Sequence, residues 1–122
     1  MGRGRRQLQR GRGTASSQPE LVLVLLEALN GESDVPVIVS DLRAAILEAK
    51  ARKVPLGGLD QLDGTDLFTL LSGLASRGDV EREERGYVVS ESGRQSAQLL
   101  RAQQPRLRQL DDAALVAFNR SW

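Results

Sequence analysis

The sequence predicts a mainly α-helical domain carrying one small β-hairpin, and three observations within Leu67 to Arg94 predict it. Leu67, Leu70, Leu71 and Leu74 recur at i, i+3, i+4 and i+7, the spacing of one apolar helical face. Arg77-Gly78 follows, a cation for the last turn and then a residue that tolerates a left-handed C-cap. Val80, and then Tyr87, Val88 and Val89, flank a charged turn ending in Gly86, the signal for a short hairpin.

The other elements follow in order. Residues 1–17 are rich in Gly, Arg, Gln and Ser and read as a disordered arm. Ser17 and Glu20 have capping-box spacing and Pro19 suits a first helical turn. Leu21 to Leu29 continues as a helix apolar on most faces, hence central to the core or part of a dimer interface. Asn30-Gly31 is expected to end it. Val35 to Val39 predicts a short edge strand, with Pro36 near its start. Ser40 is the expected cap of a second helix, Asp41 to about Arg52, with an apolar face of Leu42, Ala45, Ile46 and Ala49. Glu48 and Arg52 can pair across one turn of it. A loop over Val54 to Gly64 offers Leu56, Leu59 and Leu62 as anchors, and Gly64 or Thr65 is expected to cap the third helix. Ser90 caps a fourth helix reaching Gln103. Pro105 interrupts it, and a last helix from about Arg106 to Asn119 offers Leu107, Leu110, Leu115 and Phe118. The boundaries are thus an arm at 1–17, a domain at 18–104 and a C-terminal helix at 105–122 that packs or dimerises, with Phe118 and Trp122 as packing or dimer anchors.

The run LLSGLASRGDVEREERGYVVSESGR resembles the recognition-helix, wing and post-wing segment of MarR-like and PadR-like winged-helix regulators. The matching pieces are Arg77-Gly78, the strand Val80 to Arg82, the charged wing Glu83 to Gly86, and Tyr87 through Arg94. The match covers under a quarter of the chain. It implies a winged helix-turn-helix, with residues 64–77 as the helix that docks in the major groove of double-stranded DNA.

Composition narrows the function. With no cysteine and no histidine, disulfides, Cys/His zinc sites, thiol nucleophiles and Ser-His-Asp triads are excluded. Leu21 to Leu29 is too short for a membrane span, and Asn30 to Asp34 lacks the small-residue cleavage pattern of a signal peptide. Asp60, Asp63 and Asp66 do not form a calcium loop, because the later Glu is missing. Gly57-Gly58 falls short of a phosphate-binding loop. No catalytic constellation, metal or cofactor is expected.

Charge is unevenly spread around a net +1. Residues 1–19 carry five arginines and no acid, residues 20–90 carry seven bases and thirteen acids, and residues 91–122 carry five arginines and three acids. The folded middle is therefore acidic, whereas DNA affinity comes from cationic surface. The arm, Arg3, Arg5, Arg6, Arg10 and Arg12, is the strongest cationic feature, suited to a groove, a phosphate backbone or RNA. Lys50, Arg52 and Lys53 form a second cluster, either for backbone contact or as cations favoured at a helix C-terminus. On the third helix, Thr65, Asp66, Thr69, Ser72 and Gly73 occupy the groove-facing positions that the resemblance implies. None is a cation, although Arg-to-guanine contacts are the commonest direct readout. Arg82 and Arg85 on the hairpin tip would touch phosphates, or else solvate the turn. Arg94, Arg101, Arg106 and Arg108 are expected on a solvated face.

The expected function is DNA binding, as a transcriptional regulator or a chromosome- or plasmid-associated cytoplasmic factor working as a nucleoid-associated homodimer. The alternative is a winged-helix protein-interaction module in a larger complex, with the arm holding DNA or RNA nonspecifically.

Overall fold

The computed structural model describes residues 17–33 and 36–120, with the side chains of 32, 33 and 118–120 set aside. The arm at 1–16, Val35, Trp122 and the Phe118 side chain therefore lie outside the described residues. The architecture is mainly helical with one two-stranded antiparallel hairpin. It runs α1 (Gln18–Ser33), α2 (Val39–Ala51), α3 (Gly64–Ser76), β1 (Val80–Glu83), β2 (Gly86–Val89), α4 (Glu91–Gln103) and α5 (Arg108–Arg120). Short 3-10 turns at Leu59–Gln61 and Pro105–Leu107 lead into α3 and α5.

Helix α1 is the axis of the molecule, touching every other helix and β2. Its six consecutive residues Leu21 to Leu26 are all at most 2 % exposed, so its apolar faces are used within this chain. Its start has the reciprocal bonds the spacing predicts: the Ser17 amide donates to Glu20 Oε1 at 2.8 Å and the Glu20 amide to Ser17 Oγ at 3.4 Å. Its end does not follow the sequence reading, because the helix continues through Asn30-Gly31 to Ser33. Asn30 is fully buried and works sideways instead, its Oδ1 accepting the Val89 amide of β2 at 3.2 Å.

Of the edge strand expected over 35–39, the described residues 36–39 form a single bridge. Val37 exchanges two 2.8 Å backbone bonds with Tyr87, and the chain then turns at once into α2. Ile38, not Ser40, occupies the N-cap, without a side-chain bond, and Ser40 lies inside the first turn. The buried face of α2 is Leu42, Ala45, Ile46 and Ala49, as its spacing predicts. Leu56 and Leu59 anchor the following loop in the core, with Leu62 partly buried. Helix α3 is capped one residue earlier than expected. Asp63 Oδ1 accepts the Asp66 amide at 2.9 Å, and Asp66 Oδ2 receives the Asp63 amide at 3.4 Å. Leu67, Leu71 and Leu74 face the core.

The hairpin pairs Val80 with Val89 and closes at Glu83 and Gly86. Gly86 has φ +148°, and a Cβ there would lie 2.5 Å from the Val37 carbonyl oxygen, so the bridge itself demands glycine. The junction with α4 is equally tight. Ser90 Oγ accepts the Gly93 amide at 3.1 Å, and lies 2.6 Å from the Gly78 carbonyl oxygen to which it donates. A Cβ on Gly93 would collide with the Asp79 carbonyl oxygen.

Helix α5 packs across α2 and α1 through Leu110, Ala113, Ala114 and Ala117, so the core is continuous past residue 105. Leu115, expected on the apolar face, is 40 % exposed, because it lies off the stripe formed by Leu110, Ala113, Ala114 and Ala117. Two of the arginines expected on a solvated face are structural. Arg101 lies 2.6 Å from Glu27 of α1 and 2.8 Å from Asp111 of α5, and also donates to the Val24 carbonyl at 3.4 Å. Arg94 lies 3.5 Å from Glu27 and 3.5 Å from Asn30 Oδ1. Burial pushes the Asp111 carboxyl above its usual range, against the downward pull of the Arg101 hydrogen bond.

Two stability predictions follow from this packing. Gly93→Ala should cost about 2 kcal/mol or more by overpacking, while Gly73→Ala, with nothing within 4 Å of its Cβ, should gain up to about 1 kcal/mol of helix propensity; urea unfolding reads both. The raised Asp111 carboxyl resists ionisation in the folded state, so its contribution to stability is largest below 3.8 and falls as pH rises above that value. Asp111→Asn should therefore flatten the decline, read as the urea midpoint across a pH series.

Candidate nucleic-acid interface

The surface that sequence reading assigns to nucleic acid is the outer face of α3 together with the hairpin. Leucines at 67, 71 and 74 turn inward, which leaves Thr65, Phe68, Thr69 and Ser72 on the opposite stripe of the helix. Thr65 and Thr69 are exposed and Ser72 is half-buried. The Thr69 hydroxyl donates to the Thr65 carbonyl at 3.0 Å, so its proton is held by its own helix. Asp66 closes the capping box with Asp63. Two carboxylates therefore stand at the N-terminus of α3, where the free amides and positive end of the helix dipole would otherwise attract phosphate.

Three of the cations around this face, Lys50, Arg52 and Arg77, are answered by acids. Lys50 lies 3.2 Å from Asp60, and that hydrogen bond draws the half-buried Asp60 carboxyl below its usual range. Arg52 lies 3.1 Å from Glu48, the one-turn pair that the sequence predicts. Arg77 lies 2.8 Å from the buried Asp79 carboxylate, an ion contact without hydrogen-bond alignment. Among the described residues, Lys53 and Arg85 are exposed and make no ion pair. The hairpin segment 81–85 holds three glutamates against two arginines.

Arg82 packs against α3. Its guanidinium lies over the Phe68 ring, 5.2 Å from the centroid, and so ties the hairpin to α3. A shallow groove opens between these elements, lined by Ile38, Val39, Phe68 and Tyr87 and rimmed by the hairpin residues Arg82 to Gly86. Ile38 is 47 % exposed and Phe68 41 %, two large apolar side chains left in water within one depression. Sequence reading missed both. The usable signal was that Phe68 falls off the 67–70–71–74 stripe, which is where a large apolar residue has no core to enter.

The structure thus brings Thr65, Thr69 and Ser72 onto one stripe with Phe68, and sets Arg82 against that ring. Lys50 and Arg52 are engaged with acids on α2 and the loop before α3. The arm arginines 3, 5, 6, 10 and 12 lie outside the described residues. Among the described residues no helix is long and apolar enough to cross a membrane, and no cluster of acids is arranged to hold a metal ion. Searches against family profiles, characterised proteins and solved structures return no match.

Proposed function

We propose that this chain is a winged helix used as a protein-interaction module, held near nucleic acid by its arginine arm. The order helix, bridge residue, helix, helix, hairpin, helix supports the winged-helix reading. The observation that carries the function is the Asp63–Asp66 capping box. It sets two carboxylates on the end of α3 that a helix-turn-helix protein presents to base edges. No free cation on α3 offsets them, since residues 64–76 contain neither Lys nor Arg. The exposed Ile38 and Phe68 add an apolar surface better suited to protein than to a phosphate backbone.

The exposed stripe of Thr65, Thr69 and Ser72 supports a second reading, a nucleoid-associated transcription regulator whose α3 enters an operator as a homodimer. Duplex binding across a salt series separates the two. Replacing the five arm arginines with glutamine in the full chain should abolish most affinity and lower the salt slope by about 4. The triple change Thr65→Ala, Thr69→Ala and Ser72→Ala should leave affinity for any duplex unaltered. Sequence-selective binding that survives the first set and falls with the second would favour the operator reading.

A further inference from the structure

We infer that a second copy of this chain docks on the groove between α3 and the hairpin, through a two-fold contact centred on the Glu84–Arg85 turn. This names the partner for the protein-interaction reading proposed above, and it rests on that reading.

The floor of the groove calls for a protein occupant. Ile38 and Phe68 are 47 % and 41 % exposed in one depression of about 290 Å³, with Val39 and Tyr87 beside them. Their chain neighbours Val37 and Leu67 turn into the core, which leaves Ile38 and Phe68 facing out. An aromatic ring beside a branched aliphatic side chain is the kind of apolar centre around which protein contacts form.

The rim selects the occupant. Residues 82–85 read Arg-Glu-Glu-Arg, two charges of each sign. A partner drawn in by charge needs a rim of one sign opposite its own. A rim carrying both signs is matched by its own copy, because a two-fold axis sets residue i against j and j against i. Glu84 and Arg85 form the turn between β1 and β2, are exposed, and make no ion pair among the described residues. An axis through this turn sets Glu84 against the partner's Arg85 and Arg85 against the partner's Glu84, two ion pairs at once. An axis one residue earlier would oppose Arg82 to Arg85 and Glu83 to Glu84, like against like. One residue earlier still, Glu81 would meet Glu84. The order of charges therefore fixes the register as well as the partner.

Helix α3 permits the approach. Leu67 to Ser76 contains no charged residue, so a copy laid on Phe68 meets no like charge there. The same copy covers Thr65 and Thr69, which share the exposed stripe with Phe68. Dimerisation and base reading by α3 are then mutually exclusive. Two large apolar side chains per copy make a contact below the standard interface size, so the dimer should form at micromolar rather than nanomolar concentration.

The full chain, free of nucleic acid, tests this by sedimentation velocity across about 1–500 µM. A monomer–dimer equilibrium is expected, with the amide resonances of Ile38, Phe68 and Arg85 moving over the same concentrations. Phe68→Ser should weaken association at least about tenfold. Because that change also removes the ring beneath Arg82, the deciding variants lie on the turn. Arg85→Glu makes residues 83–85 wholly acidic, and Glu83→Lys with Glu84→Lys makes them wholly basic. Each variant alone should stay monomeric, and their equimolar mixture should recover a dimer containing one chain of each. A wild-type chain that stays monomeric throughout overturns the proposal. So does a dimer that none of these changes weakens, or a mixture that fails to pair. The interaction-module reading fails on a different measurement, selective duplex binding that is lost with the Thr65, Thr69 and Ser72 changes, and a monomeric chain leaves it standing.

Discussion

Two polar residues on an otherwise apolar helix hold this structure in register. Hydrophobic burial along α1 is strong but nondirectional, and Leu21 to Leu26 would tolerate many ways of laying neighbours against it. Glu27 and Asn30 remove that freedom. Glu27 binds Arg94 and Arg101, two turns apart on one face of α4, and Arg101 carries the link on to Asp111 of α5. Asn30 accepts a backbone proton from β2 and so fixes where the hairpin meets α1. Removing either partner leaves a desolvated group without its complement, which costs far more than the net value of the pair. The sharpness of the fold thus depends on a few directional contacts set within a permissive leucine core.

What was legible in the sequence is what periodicity and local chemistry encode. The faces of α2 and α3, the Ser17–Glu20 box, the Glu48–Arg52 pair and the Ser90 cap all involve residues within a turn of each other. The readings that failed involve residues far apart in the chain. Asn30-Gly31 has the composition of a helix end, yet the helix continues because Asn30 is needed 59 residues away at Val89. Arg94 and Arg101 look like surface charge until Glu27, at the far side of the core, is brought beside them. Val35 to Val39 has the side chains of a strand, but among its described residues, 36–39, only Val37 finds a bridge partner before Ile38 turns into α2.

The segment Tyr87 to Arg94 shows how a sequence pattern becomes a mechanical unit. Tyr87 closes the bridge to Val37, Ser90 caps α4 while gripping the Gly78 and Asp79 carbonyls, Gly93 admits the Asp79 carbonyl, and Arg94 reaches α1. Tyr87 acts here through its backbone, whereas Ser90, Gly93 and Arg94 act through their residue type. A resemblance carried by this segment therefore speaks to how a hairpin is fastened to the following helix. It is silent on what the hairpin touches.

The functional weight accordingly moves to the residues that geometry does not require. Asp63 and Asp66 satisfy α3's own amides, and in doing so remove the anion-attracting property of its N-terminus. A neutral cap such as serine would have served the helix comparably while leaving phosphate unopposed. Phe68 likewise contributes no core burial on the scale of its leucine neighbours, and its exposed ring holds the hairpin through Arg82. An acidic helix end, an exposed apolar groove and an α3 without lysine or arginine are the features on which the proposed reading of this domain rests.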